Sequence, residues 1–208
     1  MDGRTQTHFP LFPLSLVALP SELVPLHVFE ERFRLMIEDC LTDDREFGIL
    51  WLAEDELKTV GCACRVEEVL ERQQDGSLNI LARGTRALRL LERQDDMPYP
   101  AGVVEYIPDG EQAPDQAAAL TARQVYAELV SEATDRSIDP VELAAMSAYE
   151  MAATVDFGAD AKQELLELRS ETARLRLLTL LLRAAMKRLE LIERAHTQAR
   201  SNGKVRFR

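Results

Sequence analysis

Glycine is scarce and scattered in this sequence. Its nine glycines occur singly along 208 residues. Phosphate-binding loops need closely spaced glycines, because backbone N–H groups must converge on the anion without side chains in the way. The ATP-binding pattern Gly-x-x-x-x-Gly-Lys-Ser/Thr is also absent. No serine or cysteine nucleophile can be paired with a base, so we expect a non-catalytic protein that neither hydrolyses ATP nor cleaves peptides.

Cysteine and histidine are equally rare, with three residues of each. Cys62 and Cys64 form a C-x-C pair, which the alternation of a strand would place on one face of a sheet. A zinc site needs two more ligands, and none of the histidines lies at ligand spacing. We therefore interpret the cysteines as small, buried, reduced residues and expect no metal and no cofactor.

Long apolar runs are missing as well. The first eight residues contain no apolar core of a secretory signal, and the most apolar window, 175–186, is interrupted by Arg176 and Arg183. A hydrophobic content of 46% and a charged content of 29% are ordinary for a globular protein of this length. We expect a cytoplasmic protein without a membrane partner.

The charge is divided unevenly. Residues 162–208 contain 12 basic and 5 acidic residues, whereas residues 1–161 contain 13 basic and 31 acidic residues. An acidic surface repels phosphate at long range, and nucleic-acid sites need a concentrated basic face. We therefore expect no nucleic-acid partner.

Apolar and branched residues alternate with turn formers in the first half of the chain. This pattern predicts five strands and a hairpin turn at Asp75-Gly76, and the predicted strands are 46–52, 59–72, 77–83, 86–93 and 102–108. Two proline-marked apolar runs before Glu30 add two strands. About seven strands can close an antiparallel, barrel-like sheet, and one helix near residues 30–41 would cover an open end.

After residues 108–114 the composition changes to Ala, Leu, Glu, Gln and Arg, which predicts helices. Asp139-Pro140 combines an N-cap acceptor with a first-turn proline, and Ser170 can cap a long helix that ends near Thr197. We expect helices near 115–132, 140–153, 160–168 and 171–197. The predicted fold class is α+β, with a β domain over residues 1–112 and an all-α domain over residues 113–208.

An ordered set of short motifs carries a family resemblance. Residues 9–14 (FPLFPL) and 25–34 (PLHVFEERFR) are followed by several shorter motifs, namely FGIL at 47–50, VGC at 60–62, DG at 75–76, RGTR at 83–86, PY at 98–99 and KQELLE at 162–167. The set resembles the N-terminal domain of ATP-dependent Lon proteases, which recognises substrates and has a PUA-like barrel core. The resemblance implies a protein-binding module without the ATPase and Ser-Lys protease domains.

The implied partners are unfolded or extended protein segments, a protease or a chaperone, bound in a groove between barrel and helices. We assign partner binding to five residues: His27, Phe29, Glu30, Arg32 and Tyr99. A structural interpretation stays open for His27, Phe29, Glu30 and Arg32, because Phe29 can close the barrel and a carboxylate can hold Arg32 against the helix dipole. His27 is expected to be a hydrogen-bonded, partly buried imidazole. The alternative is a small-molecule enzyme or an RNA-binding module on the PUA-like fold. RNA binding would use the basic tail 194–208.

The long terminal helix carries an apolar seam at steps of three and four residues, formed by Leu175, Leu178, Leu182, Ala185, Leu189 and Ile192. Leu177, Leu180 and Leu181 flank it, so we expect the part up to Met186 to be buried within the chain. Beyond Lys187 the seam narrows among charges. That part is expected either to fray or to form a weak homodimer.

Overall fold

Six strands and one helix fill the first half of the chain. The computed structural model describes residues 5–54, 56–108, 110 and 113–202, the side chains of 193 and 196–202 excepted. In chain order these elements are β1 Thr5–Leu14, β2 Leu23–Val28, α1 Glu31–Thr42, β3 Phe47–Ala53, β4 Glu56–Arg72, β5 Leu78–Gln94 and β6 Ala101–Tyr106. The predicted helix over 30–41 and the Asp75-Gly76 turn are confirmed, since Gly76 has φ +82° in that turn.

The strands form a ring with one extra strand. The sheet order is β2-β5-β4-β3-β1-β6, and an additional β5–β6 pairing closes the ring of β5, β4, β3, β1 and β6. β2 pairs with the first half of β5 outside this ring. The prediction of a purely antiparallel sheet was wrong, because β1 and β3 are parallel. β2 and α1 lie between them in the chain and supply the crossover that a parallel pair needs.

The predicted strands 77–83 and 86–93 are one continuous strand, β5, so the described residues contain six strands rather than about seven. Gly84 falls between the two predicted strands, yet it lies inside β5 and pairs with Cys64. A Cβ atom on Gly84 would stand 2.0 Å from the carbonyl oxygen of Leu19. The glycine is therefore required by a close backbone approach and not by a turn.

Five helices follow the sheet: α2 Gln116–Thr134, α3 Pro140–Ala145, α4 Ala148–Ala152, α5 Ala159–Glu167 and α6 Glu171–Asn202. Asp139 caps α3 as predicted, by accepting hydrogen bonds from the N–H groups of Val141 and Glu142. The single helix predicted over 140–153 was wrong. Ser147 and Glu150 form a reciprocal capping box that starts a new helix, and the Met146 backbone before it is extended.

The helical half packs directly on the sheet. One buried cluster contains Val60 and Leu19 of the β half together with Leu165 and Leu178 of the helical half. A smaller cluster is contributed by the five ring strands. The Lys162 ammonium also pairs with the Glu22 carboxylate, where both side chains are about 14% exposed. The boundary predicted at residue 112, which lies outside the described residues, stays a prediction.

Burial of the cysteines and of the first part of the α6 seam follows the sequence pattern, but one residue that flanks the seam does not. Cys40, Cys62 and Cys64 are buried and free, as expected. Leu178 of the seam is buried, but Leu180 is 63% exposed, so its predicted burial was wrong. Two residues correspond to about 200° around a helix, which turns Leu180 away from the core that Leu178 contacts.

Candidate functional site

Two of the five predicted partner-binding residues stack at the end of β2. The His27 and Phe29 rings lie 5.7 Å apart, and Phe29 is 65% exposed. The Asn79 amide donates to the Glu71 carboxylate, so its Oδ1 faces His27 Nδ1 at 2.7 Å and accepts that nitrogen's hydrogen. The imidazole is thus hydrogen-bonded as expected but exposed rather than partly buried.

Glu30 and Arg32 form an ion pair at the start of α1. Arg32 Nη2 lies 2.8 Å from Glu30 Oε2. The Arg32 guanidinium also stacks on the Phe33 ring, 4.6 Å from its centre. Both charged side chains are about half exposed. A carboxylate therefore holds Arg32, as the structural interpretation required, and the pair remains accessible to a partner.

Tyr99 is buried, unlike the other four. Its hydroxyl donates to Asp39 at 2.9 Å, and burial followed by this hydrogen bond raises the pKa of Tyr99 to about 12. Tyr99 and Arg32 line one cavity of about 270 Å³, together with Arg93 and Met97. His27, Phe29 and Glu30 do not line it, so Arg32 is the residue that connects Tyr99's cavity with the other predicted residues, through its ion pair with Glu30.

The helical half contains a groove that the sequence did not reveal. This helical groove, with a volume of about 500 Å³, runs between α2, the segment after α4 and α6. Its large apolar lining residues are Leu129, Val130, Val155, Phe157, Leu181, Leu189 and Ile192. Asp156 and Arg188 are the charged residues of the lining, so their charges offset each other. The arrangement presents an open apolar surface without a concentration of charge.

The distal part of α6 forms one wall of the helical groove. Leu181, Ala185, Leu189 and Ile192 recur at steps of three and four residues and therefore lie on one face of the helix. Ile192 is 47% exposed, whereas Leu178, deeper in the helical half, is fully buried. The periodicity of the seam was the available sequence signal, but its partner across the groove could not be identified from it.

A second cavity lies between β2 and the α3–α4 region. This strand cavity has a volume of about 530 Å³ and is lined by Ser21, Leu23, Arg83, Glu142, Ala145, Met146, Glu150, Ala153 and Thr154. Thr154 also lines the helical groove, so the two cavities share one residue. The Thr154 hydroxyl is fixed by a 2.8 Å hydrogen bond to the Tyr126 hydroxyl.

Neither metal ligation nor membrane insertion is indicated by the described residues. Within them, no group of three His, Cys, Asp or Glu side chains converges as metal ligands would. Of the helices described, none combines the length and the apolar character needed to cross a bilayer.

Comparison with known proteins identifies what this fold resembles. Residues 8–184 match the family model described as the ATP-dependent protease La (LON) substrate-binding domain. The chain is 26% identical over 204 residues to a Lon protease of Anaeromyxobacter dehalogenans, covering 88% of this chain and 24% of that protein. It is also 26% identical over 121 residues to a Lon protease of Paraburkholderia phytofirmans, covering 54% of this chain and 15% of the relative. The chain thus spans at most about a quarter of these relatives.

Solved structures share the fold. A Lon N-terminal domain protein from Xanthomonas campestris aligns with a TM-score of 0.64 and 24% identity, over 82% of this chain and 95% of that one. The N-terminal domain of a Mycobacterium avium complex Lon protease aligns with a TM-score of 0.61 and 21% identity, over 84% and 97% of the two chains.

Proposed function

Since this chain belongs to the family of ATP-dependent protease La (Lon) substrate-binding domains, we propose that it binds exposed apolar segments of extended or unfolded proteins. The family match covers a non-catalytic domain, and no ATPase or protease domain is evident in this chain. The observation that carries the proposal is the helical groove, which is open, predominantly apolar and walled by the exposed end of α6.

The groove suits a flexible apolar ligand better than a small polar substrate. Burying apolar surface contributes about 25 cal/mol per Å², without a requirement for precise geometry. Ordering a flexible chain opposes this gain, so we expect affinities in the micromolar range. An enzyme site would instead bring several polar groups together, whereas Asp156 and Arg188 are the charged residues of this lining.

The exposed ring of Phe29 supports a second contact surface in this proposal. Phe29 is held by its stacking on His27, and the adjacent Glu30–Arg32 pair offers both signs of charge. These four residues lie at the junction of β2 and α1, and none of them lines the helical groove. A folded partner, such as a protease or a chaperone, would fit this surface, because rigid aromatic and arginine side chains anchor protein interfaces. Tyr99 has a supporting role here, because it is buried.

Binding of a fluorescein-labelled apolar peptide, measured by fluorescence anisotropy, tests the groove. We expect Ile192→Asp to weaken binding by tenfold or more, because the bound peptide would desolvate the new carboxylate. Leu191→Asp is the matched control, since Leu191 is 56% exposed and does not line the groove. Both variants should keep the wild-type circular dichroism spectrum.

Three results would contradict the proposal. They are no peptide binding by the wild-type protein, equal losses in the two variants, or preferential RNA binding with a steep dependence on salt. Sedimentation of both variants would also test the predicted weak homodimer. If α6 pairs with a second copy through Ile192, only Ile192→Asp should reduce self-association.

A further inference from the structure

The helical groove and the strand cavity meet at a fixed point. Thr154 lines both, and its hydroxyl is held by Tyr126 and by the carbonyl oxygen of Met151 at 2.9 Å. Thr154 itself is exposed. An extended chain advances about 3.3 Å per residue, so a segment of several residues that crosses Thr154 would occupy both cavities.

The two cavities differ in charge. The charges of Asp156 and Arg188 offset each other in the helical groove, whereas the strand cavity contains Glu142, Glu150 and Arg83. Arg83 donates to Glu67, outside the lining, through hydrogen bonds of 3.0 and 3.2 Å, and Glu67 also pairs with Arg65 at 3.6 Å. The bonds from Arg83 are the main cause of the lowered pKa of the Glu67 carboxyl. The lining itself therefore holds two carboxylates and one guanidinium, which leaves an excess of one negative charge.

Each glutamate is available to a ligand in its own way. Glu150 accepts hydrogen bonds from the backbone N–H and the hydroxyl of Ser147, which fixes the carboxylate but leaves its charge unbalanced. Glu142 is exposed, and its carboxylate has no ion pair with the described part of the chain. A cation bound in the strand cavity would balance the negative charge of both carboxylates.

The rest of the cavity suits a long basic side chain. Leu23 is 44% exposed and Met146 is half-buried, so both can contact the aliphatic stem of a lysine or arginine. The excess of acidic residues in 1–161, with 31 acidic and 13 basic residues, attracts a cationic segment at long range.

We infer that the preferred clients carry a basic residue next to their apolar segment, and that the strand cavity binds this residue beside Glu142 and Glu150. The inference rests on the proposed function and specifies its client class. The apolar residues occupy the helical groove, the chain crosses Thr154, and the ammonium or guanidinium group lies between the two carboxylates.

Three fluorescein-labelled peptides test this inference. They share one apolar run and are flanked at one end by two lysines, two glutamines or two glutamates. For the wild-type protein we expect the lysine-flanked peptide to bind about tenfold more tightly than the glutamate-flanked peptide, with the glutamine-flanked peptide between them. Glu142→Gln should reduce this ratio about threefold.

Glu132→Gln is the matched control. It makes the same change in net charge on an exposed residue of α2 that lines neither cavity, so it should leave the ratio unchanged. Equal effects of the two variants would overturn the inference, because the preference would then arise from net charge alone. A change in sedimentation of Glu142→Gln without a change in peptide preference would also overturn it, since a second copy would then occupy the cavity.

The failure of the inference is distinguishable from failure of the proposed function. If the three peptides bind equally and Ile192→Asp weakens all of them, the groove binds clients and the basic preference is wrong. If none of the peptides binds the wild-type protein, both proposals are wrong.

Discussion

The Arg174 guanidinium connects three helices and provides a sharp test of how the helical half is held together. Its side chain is 1% exposed. Its Nη1 donates to the carbonyl oxygen of Leu168 at 2.9 Å, and its Nε and Nη2 donate to Glu171 at 3.0 and 2.9 Å. Its Cζ atom lies 4.4 Å from the centre of the Tyr149 ring, which belongs to α4. The end of α5, the start of α6 and α4 therefore share one cation.

Replacing Arg174 with methionine keeps a long apolar stem but removes every donor. Glu171 would lose its cation while its side chain stays 16% exposed, and the Leu168 carbonyl would lose a hydrogen bond. Removing one partner of a buried ion pair costs about 3–5 kcal/mol. For a chain of this size, each kcal/mol lowers the melting temperature by about 2–4 °C, which predicts a loss of about 6–20 °C.

Thermal unfolding followed by circular dichroism measures this loss. Arg176→Met, two residues further along α6, is the matched control, because Arg176 is 68% exposed and faces Asp115 at 3.4 Å. Exposed pairs contribute little, so this variant should unfold near the wild-type temperature. Arg174→Lys keeps the charge but loses the planar donor geometry, and we expect an intermediate loss. Equal stability of the Arg174→Met and Arg176→Met variants would refute the reasoning.

Three further predictions concern buried groups. Burial raises the pKa of Tyr99 from 10.0 to about 12, so the stability that its protonated hydroxyl contributes is complete below pH 10.0 and is lost as the pH rises toward 12. In an alkaline unfolding series Tyr99→Phe should reduce this loss without abolishing it, because burial raises the pKa of Tyr106 to about 12 as well. Burial also raises the pKa of Cys40 to about 12 and that of Cys62 well above its ordinary value, so a thiol reagent at neutral pH should react quickly only after denaturation. Gly84→Ala should lower the melting temperature strongly, because its Cβ would meet the Leu19 oxygen, whereas Gly110→Ala, with its nearest atom at 3.4 Å, should not.

Most local structure could be predicted because its determinants are local. α3 starts at Asp139-Pro140, because Asp139 caps the helix and Pro140 fits its first turn. The chain turns at Asp75-Gly76, because Gly76 can adopt the positive φ that this turn needs. The capping box of Ser147 and Glu150 is an equally local signal, and it starts a new helix inside the segment 140–153 that was predicted as one helix. The ordered motifs of the first half also predicted the family, whose model matches residues 8–184.

Contacts between residues far apart in the chain determined the features that local sequence patterns did not predict. Gly84 looks like a turn residue in sequence, and only the approach of the Leu19 carbonyl explains why a glycine stands inside β5. The parallel pairing of β1 with β3 likewise depends on how β2 and α1 cross between them. The sequence assigns Tyr99 to partner binding, whereas the structure buries it, with its hydroxyl donating to Asp39 of α1.

The sequence by itself determined most of the helices and strands, the acidic first half and the family, because these depend on composition, periodicity and ordered motifs. The tertiary structure decided the candidate sites. Ile192 faces Leu129 across the helical groove only because α6 packs along α2, and Leu23 shares a cavity with Glu142 only because α3 and α4 lie against the start of β2. Residues so far apart in the chain are brought together by packing of buried side chains, which no local pattern encodes.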